Sequence, residues 1–346
     1  MEDGVPDEGE IEWAVKRLHN NRDGGPSQMR VEDLKGWLAA ARRGENKGET
    51  VEKEGVGRED TREGAENWAR VVELVQTAFR DGDLAEEATA QAVVLIPKGK
   101  KEYRGISLVE VMWKVVAAIL NRRFTSSITY HDALHGFRAG CGTGTATLEA
   151  KLLQKLASMK EEVLYVIFLD LTKAYNTLDR PRCLEILEGY GVGPNARRLL
   201  TTYWRRLTMV ARAAGYYGTA FRGERGVTQG DPLSPTIFNV VVDAVVWHCV
   251  NGLVDEAEEK GETGREGQHQ LAIFYADDGM VVSSDPTCLQ GAFTALVAIF
   301  DRVGPITNVR KTVSMVFHPY QAGAGNRTEE AYGRRITGVG RSYAER

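Results

Sequence analysis

Two acidic features lie inside apolar runs. Val163-Leu-Tyr-Val-Ile-Phe-Leu ends in Asp170, and Leu271-Ala-Ile-Phe-Tyr-Ala meets Asp277-Asp278 before Gly279-Met-Val-Val resumes the apolar pattern. A carboxylate among strand-forming apolar residues is costly unless it is paired or bound to a metal. Strand-end caps, or salt bridges to Arg or Lys, account for one such residue. Both runs together admit a site for Mg²⁺, a hard cation that takes carboxylate oxygens and keeps waters and substrate phosphates. Two adjacent strands would set Asp170 opposite Asp277 or Asp278. Neighbouring strand residues face opposite ways, so both members of the pair reach one site only from a turn. A hairpin with Asp277 and Asp278 at its turn supplies that. Two metals about 4 Å apart would clamp the attacking and leaving oxygens of an in-line phosphoryl displacement.

The elements that must position these residues are legible in outline. Helical spacing of Ile11, Val15 and Leu18 precedes a break at Asn20–Pro26, and a second amphipathic piece runs from Val31 to Ala41. Residues 44–66 are rich in Gly and charge, and read as a flexible insertion. Helix resumes at Trp68 and ends near Asp81-Gly82. Residues 91–97 form a short strand closed by proline, and the basic turn Lys98-Gly99-Lys100-Lys101 follows. A mostly buried helix spans 108–124, and another spans about 145–158. After the strand that ends in Asp170 come helices near 181–190 and 195–207. Ser234-Pro235 caps a helix reaching about Val250. Residues 251–270 read as a second polar insertion. Leu289, Phe293, Leu296, Phe300 and Val303 mark an amphipathic helix stopped by Gly304-Pro305. The pattern is α+β, with central strands backed by helices.

Composition narrows the classes. The chain has 346 residues, 42% apolar and 27% charged, enough for about two domains. No apolar run approaches the roughly 20 residues needed to span a bilayer, so no membrane association is expected. Met1-Glu2-Asp3-Gly4 is acidic and lacks an apolar core, unlike a secretory signal, and an intracellular (nuclear or cytoplasmic) protein is expected. The four cysteines are scattered and form neither a disulfide framework nor a zinc spacing. Residues 1–66 carry 11 bases against 17 acids, whereas 98–138 carry eight against three and 197–225 seven against one. Clustered bases can track a phosphate backbone, or form an ordinary solvated surface.

Tyr275-Ala276-Asp277-Asp278 resembles the Tyr-x-Asp-Asp box of reverse transcriptases. Phe168-Leu-Asp-Leu-Thr-Lys-Ala-Tyr175 is similar to their first catalytic-aspartate motif, and Thr228-Gln-Gly-Asp-Pro-Leu-Ser-Pro235 to their template- and nucleotide-contacting motif. Lesser blocks fall in order: Ile96-Pro-Lys98 with Tyr103-Arg104, His135-Gly-Phe-Arg138, and Asn308-Val-Arg-Lys311-Thr312. The segment from Leu18 to Leu34 is similar to the extra N-terminal block of the non-LTR retrotransposon and group II intron branch. The resemblance covers about residues 10–320.

The resemblance implies a right-hand polymerase with fingers at 67–160 and an antiparallel palm sheet backed by helices at 161–320. An N-terminal helical extension would occupy 1–66, and a flexible tail 321–346. It implies RNA-templated DNA synthesis on an RNA template and DNA primer, with dNTPs as substrates. Asp170 and Asp277 would ligate two Mg²⁺ ions, for which Mn²⁺ can substitute, with Asp278 in support and the Leu171 carbonyl as a further oxygen ligand. Tyr175 would lie under the incoming sugar and exclude a 2′-hydroxyl; its alternative is a core aromatic. Gln229 and Gly230 would let backbone approach the nascent base pair, Gly having no Cβ. Lys98 and Arg104 would meet the triphosphate, and Lys311 would protonate or neutralise the departing pyrophosphate.

Some residues depart from the family's pattern. Gly105 stands where the family usually has Pro, and Asn176 where a second Asp is often found. The chain stops soon after Lys311, leaving no room for the family's helical thumb. Cys141-Gly-Thr-Gly-Thr145 lacks the ending of a phosphate-cradling loop, the six His show no ligand spacing, and Asp179 and Asp231 read as turn or cap carboxylates. An RNA-templated RNA polymerase is disfavoured by Tyr175 and Tyr275. The rival reading is a catalytically inactive or truncated relic that acts as a nucleic-acid-binding module.

Overall fold

The computed structural model describes residues 1–22, 24–45, 58–99, 102–213, 216–259 and 271–318. Its chain divides into two compact units, each assembled from two stretches. One comprises Met1–Ile128 and Leu187–Thr236, the other Thr129–Ile186 and Ile237–Arg346. These units cut across the linear division at residue 160 that the resemblance implies.

The first unit holds α1 (Glu8–Arg17), α2 (Val31–Glu45), α3 (Arg58–Asp81), β1 (Ala90–Pro97), β2 (Tyr103–Val109) and α4 (Val111–Ser127). After the end of α7 (Arg180–Gly189) it adds α8 (Pro194–Arg206), β4 (Thr208–Ala213) and β5 (Tyr216–Arg222). Its sheet runs β2-β1-β4-β5 and packs with helices whose buried side chains include Ile11, Trp68, Phe79, Trp113, Phe124 and Tyr203. Asp7 caps α1 by accepting from the Glu10 amide at 2.7 Å.

The second unit holds α5 (Thr143–Lys160), β3 (Leu164–Thr172), the one-turn α6 (Ala174–Thr177), most of α9 (Ser234–Glu259), β6 (Leu271–Tyr275), β7 (Asp278–Ser283), α10 (Pro286–Val303), β8 (Ile306–Thr307) and β9 (Val313–Phe317). Its five-stranded sheet has β3 at the centre, flanked by β7 and then β6 on one side and by β8 and β9 on the other. The apolar run before Asp170 is this central strand, with Val166, Ile167 and Leu169 all buried. α10 starts on the Asp285 cap with Pro286 in its first turn, and buries Leu289, Phe293, Leu296, Phe300 and Val303. It stops at Gly304, whose φ of +107° disfavours an L side chain, and where a Cβ would collide with the Thr177 carbonyl.

Several boundaries differ from the sequence reading. Helix resumes at Arg58 rather than Trp68. An exposed Arg62–Glu66 pair at 3.0 Å ties the early turns of α3, and buried Gly64 fits against Ala40 of α2. The rest of the first polar insertion, 46–57, lies outside the described residues. Residues 108 and 109 end strand β2, so the buried helix begins at Val111. β2, β4, β5, β8 and β9 fall where no strand is legible. α9 continues through 251–259, which read as insertion, while 260–270 and the tail from 319 lie outside the described residues. None of the four cysteines is in a disulfide.

Candidate active site

In the second unit the acidic residues are brought together by ladder register. β3 and β7 are antiparallel, and Asp170 lies directly opposite Asp278. Directly opposed residues share a face of the sheet. The β6–β7 hairpin closes with Tyr275 opposite Asp278, so its two loop residues are Ala276 and Asp277. Asp278 therefore opens a strand rather than sharing the turn with Asp277. The reason is local: the positive φ that tight two-residue hairpin loops use falls on Ala276, at +55°. A non-glycine residue there costs roughly 1 kcal/mol, so the surroundings must hold the turn.

Residues 133–136 do so. Phe274 N–H donates to the Ala133 carbonyl at 2.7 Å, and His135 N–H to the Phe274 carbonyl at 2.8 Å. Gly136 lies flush against the turn, where a Cβ would come within 2.5 Å of the Ala276 nitrogen. Its carbonyl accepts from buried Asn239 at 2.6 Å. The His135 ring is fixed between Thr145 Oγ1 at 2.9 Å and Glu149 Oε2 at 2.8 Å. The block His135–Arg138 thus braces the acidic hairpin. Sequence reasoning gave His135, Glu149 and Asn239 no role. The only signal was Gly136 within a motif block, because the partners of these side chains are set by tertiary folding.

The Lys311 turn is anchored to the same strand. Asn308 N–H donates to the Asp170 carbonyl at 2.8 Å, and the Asn308 carbonyl accepts from Lys311 and Thr312 amides at 3.0 and 2.9 Å. Lys311 Nζ lies 3.8 Å from Asp170 Oδ1, with its side chain 62% exposed, so the pair contributes little to stability. Successive carbonyls alternate along a strand. Since the Asp170 carbonyl faces β8, the Leu171 carbonyl faces the β7 side, where the acidic hairpin lies.

Electrostatics mark the cluster as short of positive charge. Asp278 is held above the usual carboxylate range by partial burial and then by the negative charges of Asp277 and Asp170, with Lys311 opposing. Among the described residues no group of three His, Cys, Asp or Glu forms a ready metal cage. An open arrangement of two facing carboxylates and a third in the adjoining turn suits Mg²⁺, which is usually held by one or two carboxylates plus waters and phosphates. Tyr175, on α6, stacks on Phe238 with ring centroids 4.7 Å apart and planes 15° from parallel. Its hydroxyl is buried without a hydrogen-bond partner, and its proton is held more tightly than usual by burial and by the Asp277 charge.

The first unit carries the other four predicted residues. Lys98 and Arg104 are exposed at the loop end of the β1–β2 hairpin, where Ile96 pairs with Arg104 and Lys98 N–H donates to the Glu102 carbonyl at 2.8 Å. The Gln229 carbonyl accepts from Ser107 N–H at 2.7 Å, which ties the turn before α9 to β2. Gly230 has φ +114°, and a Cβ there would be driven into the Ser107 carbonyl. Both its conformation and its packing therefore require glycine. Six predicted residues (Asp170, Leu171, Tyr175, Asp277, Asp278, Lys311) belong to one unit and four (Lys98, Arg104, Gln229, Gly230) to the other.

An α+β fold with Asp170 near the end of its central strand, beside an acidic hairpin, is that of reverse transcriptase fingers and palm. Residues 96–339, well over half of the chain, match the family described as "Reverse transcriptase (RNA-dependent DNA polymerase)", and the chain belongs to that family. It is 27% identical over 252 residues to the Retrovirus-related Pol polyprotein from type-1 retrotransposable element R2 of Popillia japonica, covering 70% of this chain and 34% of that protein. Against the RNA-directed DNA polymerase from mobile element jockey of Drosophila funebris it is 26% identical over 223 residues, covering 62% and 23%. The chain thus spans about a third of the R2 relative's length. Among solved structures, apo telomerase from Candida tropicalis truncated from its C-terminal domain gives a TM-score of 0.52 at 15% identity, over 78% of this chain and 65% of that one, a likeness of fold. No helix among the described residues is long and apolar enough to cross a membrane.

Proposed function

We propose that this chain performs RNA-templated DNA synthesis by a two-metal mechanism, in which a primer 3′-hydroxyl attacks the α-phosphate of a dNTP and pyrophosphate leaves. The observation that carries the reading is the facing of Asp170 and Asp278 on β3 and β7, with Asp277 in the adjoining turn and Lys311 3.8 Å from Asp170. Asp170, Asp277, Asp278 and the Leu171 carbonyl would hold two Mg²⁺ ions, with Mn²⁺ as a substitute. When bound, the ions supply charge stabilisation to the attacking and leaving oxygens.

The chain's own residues do the rest. Lys311 holds a proton at Nζ and neutralises, or protonates, the departing pyrophosphate. Tyr175, fixed by its stack on Phe238, walls off the 2′ position of the incoming sugar. Lys98 and Arg104 meet the triphosphate, and the Gln229–Gly230 backbone meets the nascent base pair. A cleft of about 360 Å³ lined by Arg22, Arg30, Arg212 and Tyr217, with no acidic side chain in its lining, suits the phosphates and bases of a template strand.

The test is primer extension on poly(rA)/oligo(dT) with Mg²⁺ or Mn²⁺, wild type beside Asp277→Asn. Template-dependent product from wild type and none from the variant is expected. Tight primer–template binding without extension by wild type would favour a nucleic-acid-binding relic.

A further inference from the structure

Asp231 follows the Gln229–Gly230 turn and reads in sequence as a cap. It does serve the turn ahead of α9, since Oδ1 accepts from the Leu233 amide at 2.9 Å. Yet the residue is only 6% exposed, and it has more donors than a cap requires. Oδ2 accepts from the Trp113 indole at 2.8 Å, and the Tyr203 hydroxyl is a third donor. Tyr203 stacks on Trp113 with centroids 3.4 Å apart and planes 5° from parallel. Behind Tyr203 stands Gln91, fully buried, whose Nε2 donates to the Tyr203 oxygen and, at 3.3 Å, to Thr228 Oγ1. The Gln91 Oε1 has no partner. The chain of contacts therefore runs from Asp231 through Tyr203 and Gln91 back to Thr228, the first residue of the turn. The backbone closes the loop, with Asp231 N–H donating to the Thr228 carbonyl at 3.3 Å.

The direction of the bonds from Tyr203 through Gln91 to Thr228 depends on the Asp231 carboxylate being charged. An ionised carboxylate only accepts, so the Tyr203 hydroxyl donates to it and offers its lone pair to the Gln91 amide. That choice aims Gln91 Nε2 at Thr228. A neutral acid must donate, and Leu233 and Trp113 are donors already, which leaves Tyr203 as the one member able to turn round. Tyr203 would then donate to Gln91 Oε1, and the flipped amide would leave Thr228 without its donor. No charged side chain contributes to the electrostatics at Asp231. α4 presents Trp113, α8 presents Tyr203, β1 presents Gln91, and of these only Tyr203 is titratable. Burial, opposed only by these hydrogen bonds, pushes the Asp231 carboxyl up to about 6. A surface Ser or Asn would satisfy a cap without that cost.

We infer that Asp231 is a positioning residue for nucleotide selection: its charge, relayed through Tyr203 and Gln91, sets the Thr228–Gly230 turn in the form that seats on Ser107. The inference rests on the polymerase reading, in which this turn meets the nascent base pair.

The test separates the two. In single-nucleotide primer extension, Asp231→Asn is expected to raise KM for dNTP about tenfold while kcat stays within about threefold. Wild-type kcat/KM should fall on the acid side with a midpoint near 6, and the variant should lack that limb. Tyr203→Phe keeps the ring stack but cuts the relay, and should reproduce the KM effect in a folded chain even where Asp231→Asn does not fold. Independently of activity, tryptophan fluorescence of the full chain should titrate near pH 6 in wild type and not in Asp231→Asn, since the Trp113 indole donates to this carboxylate. A kcat loss equal to the KM effect, or normal KM in Tyr203→Phe, would overturn the inference. So would a fluorescence titration that persists in Asp231→Asn or is missing from wild type. Absence of any extension by wild type with the fluorescence titration intact would sink the polymerase reading and leave the relay standing.

Discussion

The two units place their functional groups by opposite means. In the unit built on β3, register alone sets Asp170 against Asp278, and the hairpin adds Asp277 to a cluster whose like charges repel. In the other unit the turn at Gln229–Gly230 carries no charge of its own. It is fixed from outside by Ser107 and from inside by the buried Asp231 relay. One region gathers like charges; the other is shaped and hydrogen-bonded in advance. Removing charge should therefore damage function in the first without damaging the fold. Changing shape in the second should damage both.

The largest effect falls on the acidic cluster. Asp170→Asn or Asp277→Asn should lower primer extension by about a thousandfold or more, because on the proposed two-metal reading each removes a charge that would hold a metal ion, at almost constant volume. Primer–template binding and the urea midpoint should stay near wild type. Asp278→Asn should cost less activity, and it relieves both the burial cost of the charge and the like-charge repulsion that together hold the Asp278 carboxyl above its usual range. A urea midpoint that falls along with activity in these variants would erase the contrast between the units.

Next comes shape. Gly230→Ala introduces a Cβ into the Ser107 carbonyl at a φ of +114°. Strain and displacement together should cost on the order of 2–3 kcal/mol in urea unfolding, with the nucleotide KM raised. A stable Gly230→Ala chain with normal KM would show that the turn is not pre-shaped.

Tyr175 belongs to the charged unit but on the proposed reading would act by shape, so it sharpens the division. Tyr175→Val removes the ring stacked on Phe238 and should raise the rNTP/dNTP ratio of kcat/KM by about tenfold. Tyr175→Phe should leave the ratio unchanged, because the hydroxyl has no partner to lose. An unchanged ratio in Tyr175→Val would return Tyr175 to the role of a core aromatic.

How much of this was legible follows the same physics. β3 and the β6–β7 hairpin were readable because buried apolar strands around a carboxylate leave a strong local pattern. α10 was readable because its cap, periodicity and Gly304 stop agree. β5 was not, since every residue of it is exposed and no buried face imposes alternation. β9 borrows its order from β3, which no local residue reports. Residues 58–66 looked like an insertion because their burial rests on Gly64 meeting Ala40, a contact made by two small residues distant in sequence. The motifs pointed to the candidate site residues. They could not name the supports, because Asn239 reaching Gly136 and Gln91 reaching Tyr203 bridge about a hundred positions.

The smallest predicted effect tests whether the pre-shaped turn carries a hidden charge. The Asp231 carboxyl is raised from 3.8 to about 6 in the folded chain, so the folded state binds this proton more tightly than the unfolded one. The stability this group adds is full below the unfolded value and is lost as pH rises through about 6. Between pH 7.5 and pH 5 wild type should therefore gain on the order of 1 kcal/mol from this residue. Asp231→Asn, with no proton to bind, should lack that increment, read as the difference between the two chains in urea unfolding across the same range. Function runs the other way, because the charged form that costs stability is the one that aims Gln91 at Thr228. A wild-type chain that gained stability on acidification and kept its nucleotide KM would show that the turn holds its shape without the charge. The two units would then differ in charge alone.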